Sequence, residues 1–191
     1  MPFRSKNPDQ EVLKMEMSRN REIVLIGIAA CAILALIIIL LTGVIGISAN
    51  NITQDARKSQ KIDGAWDMSG SSNNAMAAMI FYNETLDDHT FSLYLDRGGL
   101  SFGYFFREGG SNSTIENGIL MLEYGTNGSA IFSMNKERVG RIEHSDGGDL
   151  AEIYVDPSRP FAVVLPANHG SVKLFSDSGN DVPITLTERR S

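Results

Sequence analysis

Phe91-Ser92-Leu93-Tyr94-Leu95-Asp96-Arg97-Gly98-Gly99-Leu100-Ser101-Phe102-Gly103-Tyr104-Phe105-Phe106 holds two runs of alternating apolar side chains on either side of a glycine pair. A strand turns successive side chains to opposite faces, so residues 91, 93 and 95 share one face and residues 100, 102, 104 and 106 share another. Asp96-Arg97-Gly98-Gly99 offers backbone positions where positive φ carries no steric cost. The stretch reads as a β-hairpin. Its second strand also places aromatic rings on both faces, where a half-exposed strand would show polar residues on one. Either both faces are covered, or Phe105 forms a candidate interaction surface with Arg107.

Downstream the pattern repeats. Ile119-Leu120-Met121-Leu122-Glu123-Tyr124 and Ser129-Ala130-Ile131-Phe132-Ser133-Met134 read as a second hairpin, joined through Asn127-Gly128, the pair preferred in a type I′ turn. A third pairs residues 139–143 with 151–155 across Asp146-Gly147-Gly148-Asp149. Residues 161–165, 171–175 and 182–187 follow, separated by further glycine turns. Short strands at intervals of about 8–12 residues predict an all-β antiparallel sandwich, with jelly-roll connectivity as the alternative.

Upstream, Ala75-Met76-Ala77-Ala78-Met79-Ile80-Phe81-Tyr82 mixes helix-forming and strand-forming residues. Its neighbours favour strand. Trp66 is expected in the core or at a sheet edge near the start of the domain. Residues 50–61 are polar and charged with no apolar periodicity and read as a stalk, so the β domain spans 62–191. No repeat of 20–50 residues is visible, which excludes solenoids and propellers.

From Ile23 to Ala49 there is no charged residue. As a helix this stretch is about 40 Å long, enough to cross a hydrocarbon core of roughly 30 Å. A transmembrane helix over 23–49 is expected, the competing reading being a cleaved signal peptide with a shorter apolar region. Arg4, Lys6, Lys14, Arg19 and Arg21 precede it, against Arg57, Lys58 and Lys61 after it, which puts the amino end in the cytoplasm. In the cytoplasmic segment 1–22, Asn7 caps and Pro8 starts a short helix that runs toward the membrane. Such a segment has room for a docking peptide only. Gly27, Cys31, Ala35, Thr42, Gly46 and Ala49 fall on one side of the 23–49 helix as a stripe of small residues, a surface another helix can approach closely.

Composition narrows the setting. Residues 1–22 carry five basic and four acidic groups, which leaves 12 basic and 19 acidic groups for the rest. An acidic outer domain does not suit nucleic acid or an anionic lipid surface. Cys31 is the only cysteine, so the outer domain has no disulfide, which favours a prokaryotic plasma membrane over an animal or fungal surface. Four N-x-[ST] sequons, at Asn51, Asn83, Asn112 and Asn127, point more weakly the other way.

No motif for chemistry emerges. Ser133-Met134-Asn135-Lys136 has an S-x-x-K spacing, but its companion S-D-N and K-T-G motifs are missing. His144 with Asp146 and Asp149, Asp87-Asp88-His89, and Asp177-Ser178-Gly179-Asn180-Asp181 bring metal-ligating residue types together without a complete zinc or EF-hand spacing. Tight turns call for the same residues. The expected function is a membrane-tethered, extracytoplasmic interaction or structural module with no catalytic residues, metal or cofactor. It would be integral to the membrane and contact a protein partner. The alternatives are an accessory subunit that joins a membrane complex through its helix, and a surface hydrolase whose site follows no known motif.

Overall fold

The computed structural model describes residues 8–41, 44–99 and 101–190. The chain divides into two compact units between Ile45 and Gly46.

The first unit holds one helix, α1 (Pro8–Leu41), of 34 residues. Pro8 takes the first helical position, where its missing N–H has no intrahelical partner to lose. The helix then runs unbroken through the apolar segment. Its stretch Arg21–Ile39 is 19 residues long, none of it buried, and is long and apolar enough to cross a membrane. A signal sequence near an amino end has the same character. The described helix stops at Leu41, short of the expected 23–49 span. Gly46 and Ala49 therefore lie outside α1, in the second unit, and among the described residues of the small-residue stripe Gly27, Cys31 and Ala35 stand on it. Asn7, Thr42 and Leu100 lie outside the described residues.

In the second unit, after a 3₁₀ turn over Ala49–Asn51, a short helix, α2 (Ile52–Ser59), covers most of the segment expected to be a stalk. Ile52 and Ala56, four residues apart, share one face and are buried. Asp55 in the first turn and Arg57 and Lys58 in the last complement the helix dipole. Two apolar residues are too few to show as a period, which is why the segment reads as polar.

Four antiparallel strands follow: β1 (Asp67–Ser72), β2 (Met76–Tyr82), β3 (His89–Asp96) and β4 (Tyr104–Gly110), forming a first sheet in that order. After a one-turn helix, α3 (Ser113–Asn117), come β5 (Ile119–Glu123), β6 (Ser129–Ser133), β7 (Val139–Asp146) and β8 (Asp149–Tyr154). The last strands are β9 (Phe161–Leu165), β10 (Lys173–Ser176), β11 (Asp181–Val182) and β12 (Leu186–Arg189). Two more four-stranded sheets result, ordered β12-β5-β6-β9 and β11-β10-β7-β8. Every pairing is antiparallel except β12 with β5. The β-rich, antiparallel character expected from the sequence is what the chain builds, distributed over three sheets.

Alternation within single strands builds three cores. Met76, Ala78, Ile80 and Tyr82 of β2 pack with Leu120, Leu122, Ala130 and Phe132 of the β5–β6 pair. The opposite sides of those strands, Ile119, Met121 and Ile131, pack with Val139, Ile142 and Leu174 of the third sheet. Ala77, Met79 and Phe81 of β2, with Tyr94, pack under Ile52 and Ala56 of α2. The β12-β5-β6-β9 sheet is thus sandwiched on both faces, and its strands read as continuous apolar runs.

Turn chemistry separates the hairpins. Gly147 and Gly148 both have positive φ, 62° and 102°, as a two-residue turn between β7 and β8 requires. The β5–β6 turn is not the expected type I′ turn on Asn127-Gly128. A 3₁₀ turn over Gly125–Asn127 makes the connection, and positive φ falls on Gly125 and Gly128. The Asn127 side chain is left free to bond elsewhere, and its Nδ2 donates to the Asp96 carbonyl at 2.9 Å, tying two hairpins together.

A candidate interaction groove

The strand β4 begins at Tyr104, so the connection from β3 is longer than the four residues expected. It is pinned from outside the hairpin, where Ile47 exchanges backbone hydrogen bonds with Tyr104 at 2.8 and 2.9 Å. Within β4 the register slips: Phe106 faces Tyr94 and Glu108 faces Leu93, leaving Arg107 as an extra residue. Such a bulge re-aims side chains. Phe106 meets Tyr94 edge-on at 5.5 Å, while Arg107 and Glu108 both reach Tyr124, at the β5–β6 turn.

The result is a groove of about 430 Å³ with Phe105 and Arg107 on one side, the Tyr124–Asn127 turn on another, and Arg97 and Arg190 at its borders. The structure therefore brings the two residues of the sequence-derived surface together in one concavity. Phe105 is half-buried, its ring beneath the Arg97 guanidinium at 4.1 Å. The Arg107 guanidinium stands 5.8 Å from the Tyr124 ring centre. Tyr124 donates its phenol hydrogen to Glu108, whose carboxylate also faces Arg190 at 3.7 Å. Burial, then the hydrogen bond and negative charge of Glu108, push the Tyr124 phenol well above its ordinary range, against the pull of Arg107. Arg97, Tyr124 and Arg190 escaped sequence reasoning, because sheet pairing and a tertiary turn bring them here from distant positions.

Other residues singled out from the sequence have structural employment. Ser133 Oγ donates to the Gly118 carbonyl at 2.7 Å, whereas Lys136 Nζ turns outward to Asn117 Oδ1 at 3.2 Å, so the S-x-x-K pair is not assembled. Asp87 accepts from Asn83 and Thr85, and Asp177 pairs with Arg138. Among the described residues, no group of three or more His, Cys, Asp and Glu side chains is placed to hold a metal ion.

One serine–histidine pair has formed. Ser129 Oγ lies 2.8 Å from His169 Nε2, and His169 Nδ1 lies 2.8 Å from the Gly170 carbonyl. The arrangement matches a nucleophile, a base and an orienting group. Ser129, however, is 2% exposed. A substrate carbonyl has no approach to it, and the contact serves to fasten the loop after β9 onto β6.

No family model, characterised protein or solved structure matches the chain.

Proposed function

We propose that the protein is a membrane-tethered interaction module. In this reading α1 crosses a prokaryotic plasma membrane once, as an uncleaved anchor with its amino end in the cytoplasm. The sandwich-like β unit lies outside the cytoplasm and engages another protein at the groove around Phe105 and Arg107, with no catalytic step. The groove carries the reading: aromatic and arginine side chains are the types that dominate protein interfaces, and here they converge through a sheet bulge. The exposed apolar stretch Arg21–Ile39 supports the tether.

Two measurements test it. With Cys31 replaced by Ala, cysteines at Ser5 and Asn168 are labelled in intact cells; reaction at residue 168 alone is expected, and reaction at residue 5 would reverse the topology. For the groove, a photocrosslinking residue at Thr126 should capture a partner in native membranes, and Phe105→Ser should abolish capture without altering the melting temperature. Capture unaffected by Phe105→Ser removes the groove from the interface.

A second reading is favoured by one observation. Gly27, Cys31 and Ala35 recur every four residues on an α1 that is exposed throughout Arg21–Ile39, as suits an accessory subunit held by helix packing. Oxidative crosslinking through Cys31 to a neighbouring membrane helix would favour this reading over the first.

A further inference from the structure

Resting on the reading of α1 as a membrane anchor, we propose that the β unit makes a second contact with the same bilayer, inserting Phe102 at the boundary between lipid headgroups and acyl chains. The contact is apolar and its occupant is lipid. Phe102 is 70% exposed, more than any other phenylalanine among the described residues. It is fastened to the start of its own unit: Gly46 N donates to the Phe102 carbonyl at 2.6 Å, and the bridge between Ile47 and Tyr104 continues the contact. The backbones approach too closely for side chains. A Cβ on Gly46 would stand 2.6 Å from the Tyr104 carbonyl oxygen, and one on Gly103, at φ 86°, would stand 2.8 Å from that of Ile47. Phe102 is thus held at the first residues of the β unit and is not carried on a free stalk.

Chain length brings the bilayer within reach. From Ile23 to its end at Leu41, α1 is about 28 Å long, just short of a hydrocarbon core of roughly 30 Å. The outer edge of that core then falls at Leu41 or shortly after it. Residues 42–45 separate Leu41 from Gly46, a span of at most about 18 Å when fully extended, and this limit holds for any orientation of the two units. Charge points the same way. No charged residue occurs from Ile23 to Gln54 or from Gly98 to Phe106, the two stretches that meet where Gly46 bonds to Phe102. An exposed aromatic ring in an uncharged surrounding, next to a membrane helix, has the character of the aromatic side chains that settle at membrane interfaces. Leu150 and Tyr154 are as exposed as Phe102, but Asp149 and Glu152 flank them and Glu152 accepts the Tyr154 phenol hydrogen, so that strand faces water.

Tryptophan quenching by brominated lipids tests this on single copies of the full chain in phosphatidylcholine nanodiscs, with Trp66→Phe removing the native tryptophan. Phe102→Trp should be quenched by bromines near the headgroup end of the acyl chain, and Leu150→Trp should not. Leu34→Trp, on α1, reports the anchor through bromines deep in the chain. Quenching at position 34 but not at 102 overturns the proposal and leaves the anchor standing, whereas no quenching at 34 removes the anchor and the proposal with it. Amide exchange with Trp66 intact gives a second measure. Phe102→Asp should exchange about tenfold faster than the original at Ser101–Gly103, with an unchanged melting temperature. Equal exchange overturns the proposal. So does quenching that requires anionic lipid, which would make the contact electrostatic, or protection that appears only with two copies in one disc, which would make the occupant a second chain.

Discussion

Tyr94, buried on β3, donates its phenol hydrogen to the Asp55 carboxylate of α2 at 2.7 Å, across 39 residues of sequence. Two neighbouring contacts act in the same direction: Thr90 Oγ1 donates to Gln60 at 3.1 Å, and Arg57 donates to the Trp66 carbonyl at 2.6 Å. Together they fasten α2 over one face of the first sheet. Tyr94→Phe keeps the ring and removes the donor, so it should cost about 1–2 kcal/mol in urea unfolding. Faster amide exchange confined to Ile52–Ser59 would show that the loss acts through the helix.

Alkaline pH should expose the same contact and its counterpart in the groove. Burial, then the hydrogen bond to Asp55, raise the Tyr94 phenol well above its ordinary range, as burial and Glu108 do for Tyr124. A phenol raised on folding binds its proton more tightly in the folded state, so its contribution is whole below the unfolded value near 10 and declines as pH climbs above it. Stability should therefore drop above about pH 10. Tyrosinate absorbance should show Tyr94 and Tyr124 ionising only as the chain unfolds. Tyr94→Phe should flatten that drop.

Phe132 lies 5.0 Å from Phe91, joining the middle sheet to the first, and is fully buried. Phe132→Ala should cost about 3–5 kcal/mol by thermal or urea unfolding. Tyr154→Ala, at a site 72% exposed, should change stability by about 0.5 kcal/mol or less.

Asn135 occupies a left-handed backbone conformation, φ 59°, and is 6% exposed. Its Nδ2 lies within 3.1 Å of the carbonyls of Val139, Asp156 and Arg159, and its Oδ1 accepts from Val139 N at 2.7 Å. Asn135→Ala strands several buried polar groups and puts a less tolerant residue at positive φ, a loss of about 3 kcal/mol. Asn135→Asp should be comparably harmful, because it retains the acceptor and lacks the donors.

The strands were legible wherever local rules decide them. Residues 119–123 and 129–133 alternate between two buried faces and so appear as unbroken apolar runs. Gly147-Gly148 announces its turn because only positive φ closes a two-residue hairpin. What escaped depends on distant partners. The helix α2 hides because most of its surface is polar and its partners lie on β2 and β3. Asn127 has the character of a turn residue, and only the tertiary position of the Asp96 carbonyl claims its amide. Phe105 and Arg107 stood out as an oddity of pattern, but the groove they share also needs Arg97, Tyr124 and Arg190, which no spacing rule connects.

The parallel pairing of β5 with β12 sets a schedule for synthesis. Ile119 and Thr185, hydrogen-bonded where these strands meet, are separated by 66 residues. At a translation rate of roughly 5–20 residues per second, β5 waits about 3–13 s for its outer neighbour. Throughout that interval an apolar strand has an open edge, the template on which nascent chains mispair. Slower elongation lengthens the exposure and faster elongation shortens it, so yield of the folded protein should depend on the pace at which residues 120–185 are made.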